Sequence, residues 1–230
     1  MDTNNQAVKY MMPKMVLRRE GNDLTSHFVT AMEPYADGAN PRIENIEKLA
    51  PDQASEGAIA VKVTYGDITD IIVSLPDSNQ EFIVDDITLK GKMGMIRLKD
   101  GEVQDMYLVG GTSLKKGNVA ITDEGPVNGT IMGVKRQAAG DSKNAFITEA
   151  SVPDDALGNT IVITHPNGKT HGYRIKSVDI EDGNTVIEID HMDPGFSMDE
   201  DGESKMEFFP FTKWIGATTF RIENLKQLND

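Results

Sequence analysis

Apolar and polar residues alternate at a period of two in many short runs of this 230-residue chain. The clearest runs are Ala58–Val63, Ile71–Leu75, Gly94–Leu98, Val103–Val109 and Thr185–Ile189. Successive side chains of a β-strand point to opposite faces, so this period predicts strands that each bury one face. Only residues 41–49 allow a helical interpretation, and a strand or turn fits them equally well.

Turn residues separate the predicted strands and join neighbouring strands as hairpins. Asp100-Gly101, Asn167-Gly168 and Asp182-Gly183 supply the positive φ angles that tight hairpins need. They predict two meanders, one over residues 94–122 and one over residues 160–190. Strands that follow one another through tight turns, without helical crossovers, are typical of antiparallel sheets. We therefore predict an all-β fold, an antiparallel β-sandwich built from sequential hairpins and meanders.

The length fits one large β domain or two small ones. We predict a single β-rich module over residues 1–230. One alternative stays open, an internal division near residues 76–90, because Pro76-Asp77-Ser78-Asn79 interrupts the strand pattern. In that arrangement residues 1–75 end a larger β-sandwich, and residues 91–230 form a compact C-terminal β domain.

Charge and composition narrow the classes of partner and chemistry. The chain has 37 acidic and 23 basic residues, a formal net charge of −14. A surface this negative repels phosphate backbones and anionic lipid headgroups, so we expect neither nucleic acid nor a membrane as partner. The same charge weighs against this module alone gripping an acidic polysaccharide. Because cysteine is absent, disulfides, thiolate-ligated zinc and a cysteine nucleophile are excluded.

The aromatic stretch Phe208–Trp214 is the best candidate for binding. Sugars stack their apolar faces on exposed aromatic rings, while neighbouring polar groups fix the orientation. The candidate carbohydrate-binding residues are Trp214, Lys213 and Tyr173, and Lys213 suits an anionic sugar. The competing interpretation is structural. In it Phe209 and Phe211 fill the core, and Trp214 covers a sheet edge or docks onto another domain.

Residue spacing gives little support to catalysis. His171 and Tyr173 lie two apart on a predicted strand, so they share one face and form the best available acid/base pair. A cross-strand packing pair explains them better. His165 precedes a turn, and we expect it to be solvated. We predict no catalytic residues.

Metal binding has one candidate segment, the acidic loop Asp199–Glu203. Its carboxylates are oxygen ligands of the kind that calcium prefers, but Pro210 stands where an EF-hand loop needs its twelfth-position glutamate. A solvated loop is the favoured interpretation. We therefore expect no metal site and no cofactor, with calcium at this loop as the one exception left open.

The segment Leu24-Thr25-Ser26-His27-Phe28-Val29-Thr30-Ala31-Met32-Glu33-Pro34-Tyr35 resembles a strand of the heparinase II/III-like polysaccharide lyases. In that family the pattern L-x-S-x-F-V-T-x-x-E-P-Y lies late in the chain, downstream of the catalytic toroid. Tyr107–Thr112, His171–Ile175 and Asp193–Phe196 are similar to later elements of the same region, in the same order. The resemblance covers about residues 15–222.

This resemblance implies the C-terminal part of a bacterial, secreted lyase. Such enzymes place an (α/α) toroid first, a large β-sandwich second and a small β module last, with catalytic Tyr and His residues on the first two parts. No helical toroid precedes the matching segment here. The implied function is thus a non-catalytic C-terminal β-sandwich module that supports or docks to the catalytic toroid. The implied location is periplasmic or extracellular, and the parent protein would supply the export signal. Met1–Gln6 lacks the apolar stretch of a signal peptide, so we expect that signal to lie outside this chain.

Three hypotheses make different structural predictions. An accessory module predicts an exposed apolar patch around Trp214 or the Phe28–Tyr35 strand. A carbohydrate-binding module with its own glycan site predicts an exposed Trp214 or Tyr173 in a groove. A small stand-alone lyase would use His171 and Tyr173, but the net charge disfavours an anionic substrate. Whether this chain alone is an enzyme stays open, and inactivity is the expectation.

Overall fold

The computed structural model describes residues 15–36, 38–51, 57–76, 80–190 and 192–229. Backbone contacts divide the chain into two units, Met1–Pro34 and Tyr35–Asp230. Within the first unit, residues 15–34 form no helix and no strand. The strand that the family resemblance placed at Leu24–Tyr35 is therefore wrong, because none of the strands in the described residues pairs with this segment.

The described residues of the second unit form twenty strands and two single turns of 3₁₀-helix. Numbered along the chain, the strands are β1 (Asn45–Leu49), β2 (Ile59–Tyr65), β3 (Ile68–Ser74), β4 (Glu81–Val84), β5 (Ile87–Lys90), β6 (Met93–Lys99), β7 (Glu102–Val109), β8 (Ser113–Lys116), β9 (Val119–Thr122), β10 (Val127–Thr130), β11 (Gly133–Lys135), β12 (Ala145–Thr148), β13 (Thr160–Thr164), β14 (Thr170–Glu181), β15 (Asn184–Ile189), β16 (Phe196–Met198), β17 (Ser204–Met206), β18 (Lys213–Trp214), β19 (Thr219–Ile222) and β20 (Leu225–Asn229). The 3₁₀ turns are Gln137–Ala139 and Asp154–Ala156.

Two antiparallel sheets form what we call the first sandwich. The larger sheet has the strand order β1-β2-β3-β6-β7-β20, and the smaller one has the order β4-β5-β8-β9. Alternation along the strands turns Ile71, Ile96 and Met106 of the larger sheet toward Leu89 and Leu114 of the smaller sheet in one buried core. The period-two pattern was therefore a correct guide to the buried face of these strands.

The first predicted meander is divided between these two sheets. Its hairpins β6–β7 and β8–β9 form as expected, but β7 and β8 belong to different sheets. The chain changes sheet at Gly110-Gly111, where the backbones approach closely. A Cβ on Gly111 would lie 2.2 Å from the carbonyl oxygen of Lys90 and 2.3 Å from the Cα of Gly91. Only glycine fits there, and a continuous meander over residues 94–122 is wrong.

The second sandwich shares a separate core between a seven-stranded and a three-stranded sheet. The seven strands have the order β10-β19-β13-β14-β15-β12-β11, and the three have the order β16-β17-β18. Phe146, Ile161 and Phe196 are among its fully buried side chains. The predicted meander over residues 160–190 is confirmed as β13–β14–β15. Asp182 and Gly183 take φ angles of 52° and 83° at its second turn.

Strand β20 carries the chain back from the second sandwich to the first. It follows β19 after Glu223-Asn224 and pairs with β7. The Asn224 side chain joins this return to the sheet crossing: its amide nitrogen donates to the Gly111 carbonyl (2.8 Å), and its oxygen accepts from the Gly111 amide (3.0 Å).

The all-β antiparallel sandwich prediction is confirmed, and within residues 41–49 the strand alternative is correct, as β1. The division near residues 76–90 stays a prediction, and residues 77–79 of that interval lie outside the described residues. Among the residues described, no helix is long and apolar enough to cross a lipid bilayer.

Candidate functional site

A groove of about 380 Å³ lies beside the core of the second sandwich. One wall is the start of β14, with His171, Gly172 and Tyr173. Facing it are the loop Asp193–Gly195 and the ring of Phe208. Of the candidate carbohydrate-binding residues, only Tyr173 lines this groove.

A row of aromatic rings runs from the groove into the core. The half-buried His171 shares a hydrogen bond with His165, at 3.1 Å between His171 Nδ1 and His165 Nε2. The His165 ring stacks on Trp214, with ring centroids 4.1 Å apart and planes 16° apart. It also meets Phe196 edge-on at 4.7 Å. With 2% of its surface exposed, His165 is a core residue, so the expectation of a solvated turn residue is wrong.

Hydrogen bonding favours one tautomer of the histidine pair. His165 Nδ1 is buried and has no hydrogen-bond partner in the described part of the chain. An orphaned N–H is rarer and costlier in protein interiors than an orphaned lone pair. His165 Nε2 therefore carries the proton and donates to His171 Nδ1. This leaves the proton of neutral His171 on Nε2, as a hydrogen-bond donor.

Burial also sets the protonation state of His165. Desolvation, followed by the neighbouring His171, lowers the pKa of His165 to about 4. His165 is therefore uncharged throughout the physiological pH range.

Tyr173 is a packing residue with its hydroxyl occupied. The ring is 5% exposed and meets Phe146 edge-on at 5.1 Å. Its hydroxyl donates to the Pro194 carbonyl, and burial raises the pKa of Tyr173 to about 12. His171 and Tyr173 do share a face, as predicted, with ring centroids 6.5 Å apart. A phenol this hard to ionise is poorly suited to abstract a proton, so the geometry disfavours the stand-alone lyase.

The aromatic stretch after β17 has the reverse of its predicted burial. Phe209 and Phe211 were expected in the core, but Phe209 is 87% exposed, and Phe208 and Phe211 are each 57% exposed. Trp214, at 3% exposed, belongs to the second core instead. A tight turn causes this, since Phe211 has a φ of 55° and its amide donates to the Phe208 carbonyl at 2.8 Å.

These positions bear directly on the predicted sugar contacts. The glycan hypothesis expected an exposed Trp214 or Tyr173, and both rings are buried. Lys213 contacts the carboxylates of Glu203 at 2.6 Å and Asp199 at 3.0 Å. The Lys213 ammonium donates to Glu203, which has the larger effect, and to Asp199, and these hydrogen bonds raise the pKa of Lys213. Direct sugar contact by Trp214, Lys213 and Tyr173 stays a prediction for binding experiments to test.

The acidic loop Asp199–Glu203 is closed by its own hydrogen bonds. Asp199 accepts from the amides of Asp201 (3.2 Å) and Glu203 (2.9 Å), and Lys213 forms ion pairs with both Asp199 and Glu203. Across the described ranges, no group of three or more His, Asp or Glu side chains can hold a metal ion. Calcium at this loop stays a prediction.

The first sandwich has a polar network that sequence spacing did not reveal. Arg97 makes a two-pronged contact with Asp70, from Nε to Oδ1 and from Nη2 to Oδ2, both at 2.8 Å. Tyr65 donates to Asp70 at 2.7 Å and accepts from Arg97 at 3.0 Å. Burial acts to raise the pKa of Asp70, but the hydrogen bonds from Arg97 and Tyr65 outweigh it and hold the pKa low. The charge is thus satisfied internally.

Comparison with known families identifies a relationship for the first sandwich. Residues 43–130 match the family described as the endo-acting ulvan lyase C-terminal domain. The match spans β1–β10 and supports a polysaccharide lyase C-terminal region, which implies a catalytic domain as partner in the parent protein. No curated protein and no solved structure shows significant similarity to the chain.

Proposed function

We propose that this chain is the non-catalytic C-terminal β module of a heparinase II/III-like polysaccharide lyase and that it docks to the catalytic toroid. The observation that carries the proposal is the family match over residues 43–130. The resemblance of residues 24–35 to the heparinase II/III-like strand supports the finer assignment. The parent enzyme would act on ulvan or a related acidic polysaccharide and would export the module with its catalytic part.

The outer face of the first sandwich supports docking. Val61, Ile72, Met95 and Tyr107 lie in register across β2, β3, β6 and β7. They alternate with the core residues of the same strands, so they occupy the face turned away from the smaller sheet, where Val61 is buried and the other three are half-buried. Polar side chains are the usual covering of a solvated sheet face, and an apolar row is typical of a protein contact.

Exposed apolar side chains extend this row toward β20. Met93 and Leu225 are both exposed and both pair with Val109. Residues 15–34, considered by themselves, also expose Phe28, Val29 and Met32. An apolar patch around this segment agrees with the accessory-module hypothesis. Near Trp214 the ring itself is buried, but its neighbours Phe209, Phe211 and Ile215 are exposed.

The first experiment measures lyase activity of the isolated chain. Elimination from a uronate yields an unsaturated product that absorbs in the ultraviolet. We expect no product from ulvan, heparin, heparan sulfate or alginate. Product that survives purification to homogeneity would overturn the non-catalytic assignment.

A second experiment tests docking. The chain is titrated with the separately produced catalytic part of an endo-acting ulvan lyase, and association is followed by calorimetry. Met93→Glu and Leu225→Glu each place a charge at an exposed position. Each variant should weaken association at least tenfold, or about 1.4 kcal/mol. Ile180→Glu, at an exposed position on β14, is the matched control and should bind like the unaltered chain. Equal loss in all three variants, or none, would remove the outer face as the docking surface.

A further inference from the structure

We infer that the groove between His171 and Phe208 is a subsite for an uncharged sugar residue of a polysaccharide. The inference that the ligand is a polysaccharide rests on the proposed function. The inference that the bound sugar residue is uncharged rests on the groove itself. The sugar contacts inferred for this subsite do not include Trp214 and Lys213, which were predicted from the sequence.

Phe208 supplies an aromatic wall that the fold holds in place. An edge of its ring lies 3.5 Å from the position that a Cβ on Gly195 would occupy, so the ring lies close beside Gly195. The amide of Glu207 donates to the Gly195 carbonyl at 2.9 Å, and the turn to Phe211 closes the other end of the loop. More than half of the Phe208 surface stays exposed. A preorganised ring of this kind loses little entropy on binding.

The opposite wall supplies backbone hydrogen-bonding groups. The Arg174 carbonyl points away from β13, because it accepts from the Asp190 amide at 2.9 Å. Backbone groups alternate sides along a strand, so the N–H and C=O of Gly172 point the same way, into the groove. Strand β15 pairs with β14 only from Ile175 onward. Within the described residues, Gly172 has no backbone partner on that side.

His171 adds a directional group on the same wall. Its Nδ1 is occupied by His165, which leaves Nε2–H as the donor available to a ligand. The groove thus combines one aromatic face with a donor–acceptor edge. A pyranose ring has the matching character, with an apolar C–H face and hydroxyl groups around its rim.

The charges around the groove favour an uncharged residue. Asp193 lines the groove. Arg136 forms an ion pair with Asp193 at 3.0 Å and a second one with Glu207 at 3.7 Å. Lys213 is engaged by two carboxylates. A carboxylate or sulfate on the bound sugar would therefore meet the negative charge of Asp193, while Arg136 and Lys213 are already engaged by carboxylates. A protein side chain could use the apolar wall, but it would leave the row of polar groups at Gly172 unmatched.

The test is a set of NMR titrations of the full chain. The probes are the neutral tetramers xylotetraose, cellotetraose and mannotetraose, with tetragalacturonate as the anionic comparison. We expect saturable shifts of the Gly172 and Gly195 amides with at least one neutral tetramer and none with the uronate. Phe208→Ala should weaken binding about tenfold. Phe209→Ala removes a more exposed ring outside the groove and should leave affinity within about twofold.

Each contrary result overturns the subsite. It fails if no neutral tetramer shifts these amides, if only tetragalacturonate binds, or if Phe208→Ala and Phe209→Ala behave alike. It also fails if Phe208→Ala instead weakens association with the catalytic part, since the loop would then be a protein contact. The docking variants Met93→Glu and Leu225→Glu lie in the first sandwich, so failure of the proposed function gives a separate signal.

Discussion

The neutral, buried His165 should make the stability of this protein depend on pH in a defined window. Its imidazole has a pKa of about 4 in the folded chain, against an ordinary value of 6.5. The difference is worth about 1.4 kcal/mol per pKa unit, or about 3 kcal/mol in total. The physical cause is desolvation of the imidazolium between Trp214 and Phe196.

The sign follows from which state binds the proton. Above pH 6.5 the imidazole is neutral in both states and contributes no pH dependence. Between pH 6.5 and about 4 the unfolded chain binds a proton that the folded chain excludes, so the free energy of unfolding falls as the pH falls. The full loss of about 3 kcal/mol is reached near pH 4.

Urea denaturation at a series of pH values from 7.5 to 4 measures this loss. His165→Gln should be less stable at pH 7.5, because it loses the stacked imidazole, but the gap to the unaltered chain should shrink by about 3 kcal/mol by pH 4. His27→Gln removes an exposed imidazole and should keep the original slope. If His165→Gln does not fold, direct NMR titration of the His165 imidazole gives the same information. Parallel slopes for all three proteins, or a His165 titration near pH 6.5, would refute the reasoning.

Three further substitutions test the packing described above, each by urea denaturation at pH 7.5. Gly111→Ala forces a Cβ against the backbone of β5 and the following residue and should cost about 3 kcal/mol or more; a loss under about 0.5 kcal/mol would show that the crossing is loose. Asp70→Ala leaves Arg97 and Tyr65 without the carboxylate that they share and should cost about 2–3 kcal/mol, with partial recovery in Asp70→Ala/Arg97→Met. Trp214→Ala should cost about 3–5 kcal/mol, whereas Phe209→Ala should stay within about 0.5 kcal/mol; similar losses would contradict their assigned burial.

Sequence reasoning succeeded where structure depends on local chemistry. The Asp100-Gly101 and Asp182-Gly183 turns take the positive φ angles that their residues favour. Alternation of apolar residues along β3 and β6 identified the buried faces, because the period of a strand is a property of its backbone. The hairpins and the strand class follow from the same short-range rules.

These short-range rules do not predict which residues pair when they are far apart in the sequence. The partnership of Asp70 and Arg97 depends on the register between β3 and β6, which neither strand encodes alone. The burial of His165 depends on β18 bringing Trp214 onto its ring, a contact between segments almost fifty residues apart. The Phe208–Trp214 stretch has no strand period, so its turn decided which aromatic rings face water.

The return of β20 to the first sandwich has a consequence for how the chain folds as it is synthesised. Residues 43–130 are synthesised before β20, so β7 waits for a partner that lies about 120 positions later, at the separation of Tyr107 and Gln227. During that interval β7 is an unpaired edge beside apolar side chains, the kind of surface that templates aggregation. The strands of the second sandwich lie between β9 and β20 in the sequence, so they must be synthesised before β20 can complete the larger sheet of the first sandwich. Expression of residues 43–130 alone would leave that edge open permanently.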